Sequence, residues 1–215
     1  MPKNDPSEIE VKINLQNEDF YRRLIDLLDV KSEPVLQSNY FFDTKDSILA
    51  KNQWALRLRF EKDTAIFTLK GGRRSSPEGL SIRTEIEGEI EFESADRLRT
   101  RGSLEITELP ANIHDRLEDP VANRPLELLY SFRNYRHKVP VSHSGGDYVF
   151  EIDRTEFPDN SIDYELEIEI ESENSYHETL AAARAILFQA DVPFEFQPLS
   201  KMARAVRKNC DPRKY

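Results

Sequence analysis

Apolar and charged residues alternate along most of this chain. Residues 7–15, SEIEVKINL, put Ile9, Val11, Ile13 and Leu15 on one side and Glu8, Glu10 and Lys12 on the other. A period of two predicts a strand with one apolar and one charged face. Strand patterns recur at 35–43, 53–61, 65–71, 80–92, 126–141, 147–157 and 161–172. Turn signals lie between them at Gly71-Gly72, Pro77-Glu78-Gly79, Gly145-Gly146-Asp147 and Pro158-Asp159-Asn160.

Four stretches change to helical spacing. Residues 17–29 carry Phe20, Leu24, Leu27 and Leu28 behind Asn17 as N-cap, and 94–102 predict a short helix closed by Gly102. Residues 174–190 are strongly helical, and 200–209 start at Ser200 with Met202, Ala205 and Val206 as the apolar stripe. About eight strands with short turns predict an α+β, mainly β fold: an eight-stranded antiparallel closed β-barrel with helices packed outside. The chain reads as a single domain over 1–215, with 1–6 and 209–215 as flexible tails. The segment 88–125 carries no motif that assigns it a role.

The charged faces carry the chemistry. Arg57 and Arg59 share one strand face, and Thr68 and Lys70 another. Arg83, Glu85 and Glu87 follow, then Glu151 and Asp153, then Glu165, Glu167 and Glu169. For one strand alone a charged face is usually a solvated face. The set as a whole argues otherwise: one row is wholly acidic and another wholly basic, and like charges side by side destabilise a strand unless opposite charge faces them. In a closed barrel the apolar faces turn outward to the helices and the charged faces inward. Such an interior is costly to desolvate unless its charges are paired, wet or filled by ions. A wide tunnel holding a polyanion and divalent metals meets that demand, with carboxylates for hard cations and Arg and Lys for phosphate oxygens.

Composition narrows the classes. Net charge is −10 with 38% hydrophobic residues, 12 Phe and 8 Tyr, so a core is available and the surface as a whole repels nucleic acid and anionic membrane. A polyanion therefore needs a local basic site or a metal. The one cysteine, Cys210, sits in a predicted solvated tail, and no intrachain disulfide is possible. No apolar run approaches membrane-spanning length and the start lacks a signal-peptide core, so a cytoplasmic protein is expected. The dispersed His114, His137, His143 and His177 have no zinc spacing. Gly71-Gly72-Arg73-Arg74 lacks the ending of a phosphate-binding loop and reads as a turn.

The opening EIEVK, followed in order by NYFFDT (39–44), ALRLRF (55–60), FTLKG (67–71), SIRTE (81–85), FEIDRTEF (150–157), YELEIEIE (164–171) and LSK (199–201), resembles the CYTH superfamily, the triphosphate tunnel metalloenzymes. The spacing is most similar to the small plant and bacterial inorganic triphosphatases. The resemblance implies a tunnel that binds a linear triphosphate and hydrolyses it with Mg²⁺ or Mn²⁺, two ions with substrate. Glu8, Glu10, Glu165, Glu167 and Glu169 are then the metal side. Lys12, Arg57, Arg59, Lys70, Arg83 and Arg136 hold phosphate oxygens, and Lys201 reaches in from the last helix as a catalytic and substrate-binding residue. Glu85 and Glu87 are catalytic candidates, for a second metal or for water positioning. Asp153 fixes the basic side chains or joins the second metal. Family members also act on thiamine triphosphate or the 5′ triphosphate of RNA, or cyclise ATP. A noncatalytic polyphosphate-binding module is the non-enzyme alternative. The expected partner is a small polyanion, not nucleic acid or membrane.

Overall fold

The computed structural model describes residues 7–75 and 79–208. The expected flexible tails, Cys210 and the Pro77-Glu78 part of one turn signal lie outside the described residues. The strands are β1 (Ser7–Asn14), β2 (Val35–Asp43), β3 (Ala55–Glu61), β4 (Thr64–Ser75), β5 (Leu80–Ile90), β6 (Ser103–Leu104), β7 (Leu126–His143), β8 (Gly146–Glu156) and β9 (Ile162–Glu169). The helices are α1 (Glu18–Leu27), α2 (Ile48–Lys51), α3 (Phe92–Arg101), α4 (Ala111–Val121), α5 (Tyr176–Gln189) and α6 (Lys201–Arg207).

Neighbouring strands run β2-β3-β4-β5-β1-β9-β8-β7, and a β2–β7 pairing closes the circle into an eight-stranded antiparallel barrel. Closure removes the open edges a flat sheet would leave. The short β6 adds to β7 through Ser103 opposite Glu127. The register then fixes the faces, because residues directly opposite each other point the same way. Lys12 faces Glu167, Glu8 faces Arg83, Lys70 faces Glu85, and Arg136 faces Asp153. The charged rows of β1, β4, β5, β7, β8 and β9 thereby converge on the interior, while β2 turns the neutral Asn39 toward Arg59.

The apolar alternation lands outside, under the helices. Val11, Ile13, Phe150, Ile152, Leu166 and Ile168 pack with Leu24 of α1 and Ala183 and Leu187 of α5. Leu56, Leu58, Phe67 and Leu69 pack with Leu49 of α2, Leu98 of α3, and Ile113, Leu117 and Val121 of α4. Each fully buried Val, Leu, Ile or Phe side chain among them contributes about 1.5–3 kcal/mol. Local signals set the helix ends. The Asn17 side chain accepts from Phe20 N at 3.0 Å, and Gly102 closes α3 at φ 73°.

Two expectations need correction. Gly71-Gly72 is no turn between strands: β4 continues through it to Ser75, with a register shift between Gly71 and Arg74, so the glycines make a bulge. The segment 88–125 holds α4, hidden in the sequence because Pro110 precedes it and Pro120 sits in its last turn. Its buried residues Ile113, Leu117 and Val121, spaced by four, cover the barrel wall. Among the described residues no helix is long and apolar enough to cross a membrane.

Candidate active site

The barrel encloses a cavity of about 1060 Å³. Its lining includes Glu8, Glu10, Lys12, Arg57, Arg59, Lys70, Arg83, Glu85, Glu87, Arg136, Glu167, Glu169 and Lys201. Asp153 and Glu165 lie beneath that surface, at 0% and 1% exposure. The strand pairings explain the convergence: a residue's inward direction follows from its parity, and closure gathers the inward rows around one axis. Parity also separates Arg136, which faces Asp153 and Glu151, from Arg133, three positions away on the opposite face.

Helix α6 packs against β7, and its first turn, Lys201 to Ala203, lines the cavity. Its Ala205 and Met202 pack on Phe41, Phe132 and Phe157, with Phe41 and Phe132 also lining the cavity. The Ser200 hydroxyl caps this helix by accepting from Ala203 N at 3.2 Å, which directs Lys201 into the interior.

The interior cations fall into two groups. Lys12, Lys70, Arg136 and Lys201 are saturated with carboxylate. Lys12 Nζ donates to Glu10 at 2.7 Å and to Glu167, and Lys70 Nζ donates to Glu8 at 2.7 Å and Glu85 at 3.1 Å. Arg136 forks onto Asp153, with Nε 2.8 Å from Oδ1, and also meets Glu151 and Glu167. Lys201 Nζ lies 2.8 Å from Asp153, 3.0 Å from Glu167 and against Glu165.

Arg57, Arg59 and Arg83 form the second group. Arg57 donates to Thr68 Oγ1 at 2.9 Å, and its nearest carboxylates, Glu85 and Glu87, stand off at 3.8 and 3.9 Å. Arg59 donates to the neutral Asn39 at 2.9 Å. Among the described residues Arg83 donates from Nε to Ser81 Oγ at 3.3 Å, and one of its terminal nitrogens is covered without a partner. Burial lowers the pKa of Arg57, and burial with the Arg57 and Arg136 charges takes Arg59 down to about 9. A guanidinium relieves such stress by acquiring an anion, not by losing its proton at neutral pH.

On the acidic side, burial alone would raise Asp153 and Glu167. Arg136 with Lys201 at the first, and Lys12 with Arg136 at the second, outweigh it and hold both below the usual carboxylate range. Burial holds the Lys201 ammonium well below the usual lysine range, against the pull of Asp153 and with the Lys12, Arg136 and Arg204 charges acting in the same direction as burial. Glu169, at the mouth, is raised by burial and by Glu151 and Glu8. Asp153, Glu165 and Glu167 each offer an oxygen within 4.8 Å of the others. This all-oxygen set fits a hard divalent cation, with no sulfur or imidazole donor in the group.

Sequence reading missed several participants. Asn39, Gln37, Asn134 and Thr155 form a buried hydrogen-bonded set beside Arg59; their inward parity was the available signal. Glu151, which the sequence placed on one charged face with Asp153 without giving it a site role, pairs with Arg136. Arg204, three residues after Lys201, pairs with Asp163 at 2.8 Å and Glu165 at 2.6 Å.

The sequence profile of the CYTH domain matches residues 6–206. Among solved structures, HpAC1 from Hippeastrum is 27% identical, with a TM-score of 0.79 over 95% of this chain and 98% of its own. It is described as a candidate adenylyl cyclase with a dominant triphosphatase activity. A Bacillus halodurans protein described as a candidate adenylate cyclase is 24% identical, with a TM-score of 0.66 over 92% of this chain and 97% of its own. PH1819 from Pyrococcus horikoshii is 16% identical, with a TM-score of 0.58 over 94% and 99%. Comparison with curated proteins gave no match.

Proposed function

This chain belongs to the CYTH domain family, and on that premise we propose that it hydrolyses inorganic triphosphate to pyrophosphate and phosphate inside the barrel. The observation that carries the reading is the contrast between the two groups of cations. Arg57, Arg59 and Arg83 are partly or wholly buried, converge on one cavity, and lack close carboxylate partners among the described residues. A chain of phosphates supplies the missing negative charge, through charge-assisted and bidentate hydrogen bonds. The dominant triphosphatase activity of HpAC1 supports the same choice.

In this reading Arg57, Arg59 and Arg83 grip the phosphate oxygens, with Lys12, Lys70, Arg136 and Lys201 as further contacts. Phosphoryl transfer asks mainly for positioning and for charge stabilisation of the transferred group and leaving pyrophosphate. No side-chain nucleophile is required. Glu85 and Glu87 are the candidates to orient the attacking water. Glu85 is held by Lys70, and Glu87 accepts from Thr68 Oγ1 at 3.0 Å. Glu8, Glu10, Asp153, Glu165, Glu167 and Glu169 are the candidate ligands for Mg²⁺ or Mn²⁺. Such an ion would supply Lewis-acid stabilisation of phosphoryl oxygens.

Thiamine triphosphate or ATP would need a surface for its organic part. Trp54 lines the cavity, but its ring packs on Gly71 and under the Arg116 guanidinium, 5.3 Å from the ring centroid. That engagement favours the unsubstituted triphosphate. The test is phosphate release from triphosphate, ATP and thiamine triphosphate, with and without Mg²⁺. Mg²⁺-dependent release that is fastest from triphosphate is the expected result. Pyrophosphate with a cyclic nucleotide from ATP, or tight binding without release, would overturn it.

A further inference from the structure

Helix α6 and strand β9 mesh as two rows of charge. Lys201, Arg204 and Lys208 are spaced by three and four residues, on one side of the helix. Asp163, Glu165 and Glu167 are spaced by two, on the inner face of β9. Lys208 Nζ lies 3.4 Å from Asp163 and donates to Ser161 Oγ at 2.6 Å. Arg204 spans Asp163 and Glu165, and Lys201 reaches Glu165 and Glu167. The two oxygens of Glu165 are divided, Oε2 to Arg204 and Oε1 to Lys201.

Two observations set Lys201 apart from the other two. Its partners Asp153, Glu165 and Glu167 are, among the described residues, the one group of carboxylates close enough together to hold a metal ion. Lys201 also lines the cavity, whereas Arg204 and Lys208 do not. One ammonium and one divalent cation cannot share those oxygens without strong repulsion. A lysine has a flexible four-carbon stem, so its head can leave the carboxylates while the helix backbone stays docked.

We propose that Lys201 is an exchangeable internal cation that competes with a divalent cation for Asp153, Glu165 and Glu167. Arg204 is the positioning residue that keeps α6 on β9 when Lys201 leaves. The inference rests on the reading that these carboxylates take a divalent cation. Once displaced, the ammonium faces the cavity, where a phosphate oxygen is its alternative partner. Divalent cation and phosphate chain are therefore coupled through one side chain. By linkage each tightens the other's binding by the same factor.

The test reads Mn²⁺ binding to the full chain by titration calorimetry, with no phosphate present. Lys201→Met removes the competitor and should bind Mn²⁺ on the order of tenfold more tightly than wild type. Lys201→Arg keeps the charge and should stay close to wild type. Lys201→Gln serves as a second neutral variant, and far-UV circular dichroism checks that each is folded. Equal or weaker Mn²⁺ binding by the folded neutral variants overturns the competition, as does absence of Mn²⁺ binding in wild type and variants alike. For Arg204, amide hydrogen exchange across α6 should rise in Arg204→Met and return in Arg204→Lys, while kcat for triphosphate falls in Arg204→Met and recovers in Arg204→Lys. Exchange and kcat unaltered in Arg204→Met overturn the positioning role. Failure of wild-type protein to release phosphate would remove the triphosphatase reading and leave the Mn²⁺ result standing.

Discussion

Arg59 Nε donates to Asn39 Oδ1 at 2.9 Å, so a buried guanidinium rests on a neutral amide. Among the described residues no carboxylate pairs with it, while Arg136 in the same cavity meets Asp153, Glu151 and Glu167. These two arginines should respond oppositely to removal. Arg59→Gln takes away an unpaired buried charge, so the melting temperature should hold or rise while triphosphate turnover falls on the order of a hundredfold. Arg136→Gln strands three buried carboxylates and should cost about 3–5 kcal/mol, lowering the melting temperature by roughly 6 °C or more. Thermal melts and phosphate release on both variants check the contrast; equal destabilisation would contradict it.

Acid should unfold the protein by a route set in the tunnel. Asp153 and Glu167 are held below the usual carboxylate range by Arg136, Lys201 and Lys12, despite burial that acts the other way. A depressed folded value means the unfolded chain binds protons first. The stabilisation is therefore complete above the ordinary carboxylate range and is lost as pH falls through it toward the lower folded values. Melting temperature should be nearly flat from about pH 7 to 5 and drop steeply below about pH 4. Glu167→Gln should lower the plateau and flatten the drop. A wild-type curve without decline at acid pH would count against these ion pairs.

Glu169 stands at the mouth, is not ion-paired among the described residues, and is raised by burial and by Glu151 and Glu8. Removing its charge relieves repulsion, so Glu169→Gln should not lower the melting temperature. If Glu169 serves as a cation ligand, the Mg²⁺ concentration for half-maximal hydrolysis should rise several-fold. An unmoved Mg²⁺ dependence would take Glu169 out of the ligand set.

Trp54 is the chain's one tryptophan, and a Cβ built on Gly71 would fall 2.1 Å from its Cε3. Gly71→Ala should push the indole aside, cost about 1–3 kcal/mol by overpacking, and shift the tryptophan emission. An unchanged spectrum with an unchanged melt would show that the ring is held elsewhere. Because Trp54 lines the cavity, its emission should also report triphosphate binding in the wild type.

Much of the architecture was legible because it rests on local periodicity. The run at 35–43 became β2 with the same bounds, and Asn17, Ser200 and Gly102 set helix ends as their side chains and backbone preferences require. The failures are local signals overruled by neighbours. Gly71-Gly72 has turn chemistry, yet its strand continues as a bulge beneath Trp54. Helix α4 contains a proline, and its apolar stripe acquires meaning only when the barrel wall faces it.

The alternation itself put Glu165, Glu167 and Glu169 on one face and set Arg133 and Arg136 on opposite faces, because a strand's side chains alternate wherever it lies; which of the two arginines faces inward was decided by the pairing of Arg136 with Asp153. It also gave the charged strand faces from Glu8 to Glu169, whereas Lys201, on a helix, came from the resemblance of LSK (199–201) to the CYTH superfamily. What alternation leaves undetermined is how those charges are distributed among one another. The β2–β7 pairing closes the ring, and only then does Lys201 meet Asp153 while Arg59 meets Asn39 instead of a carboxylate. Ion pairing depends on distances of a few ångströms between residues far apart in the chain. Those distances are set by barrel closure and helix docking, so tertiary structure alone decided which cations are already neutralised and which still face the cavity with charge to share.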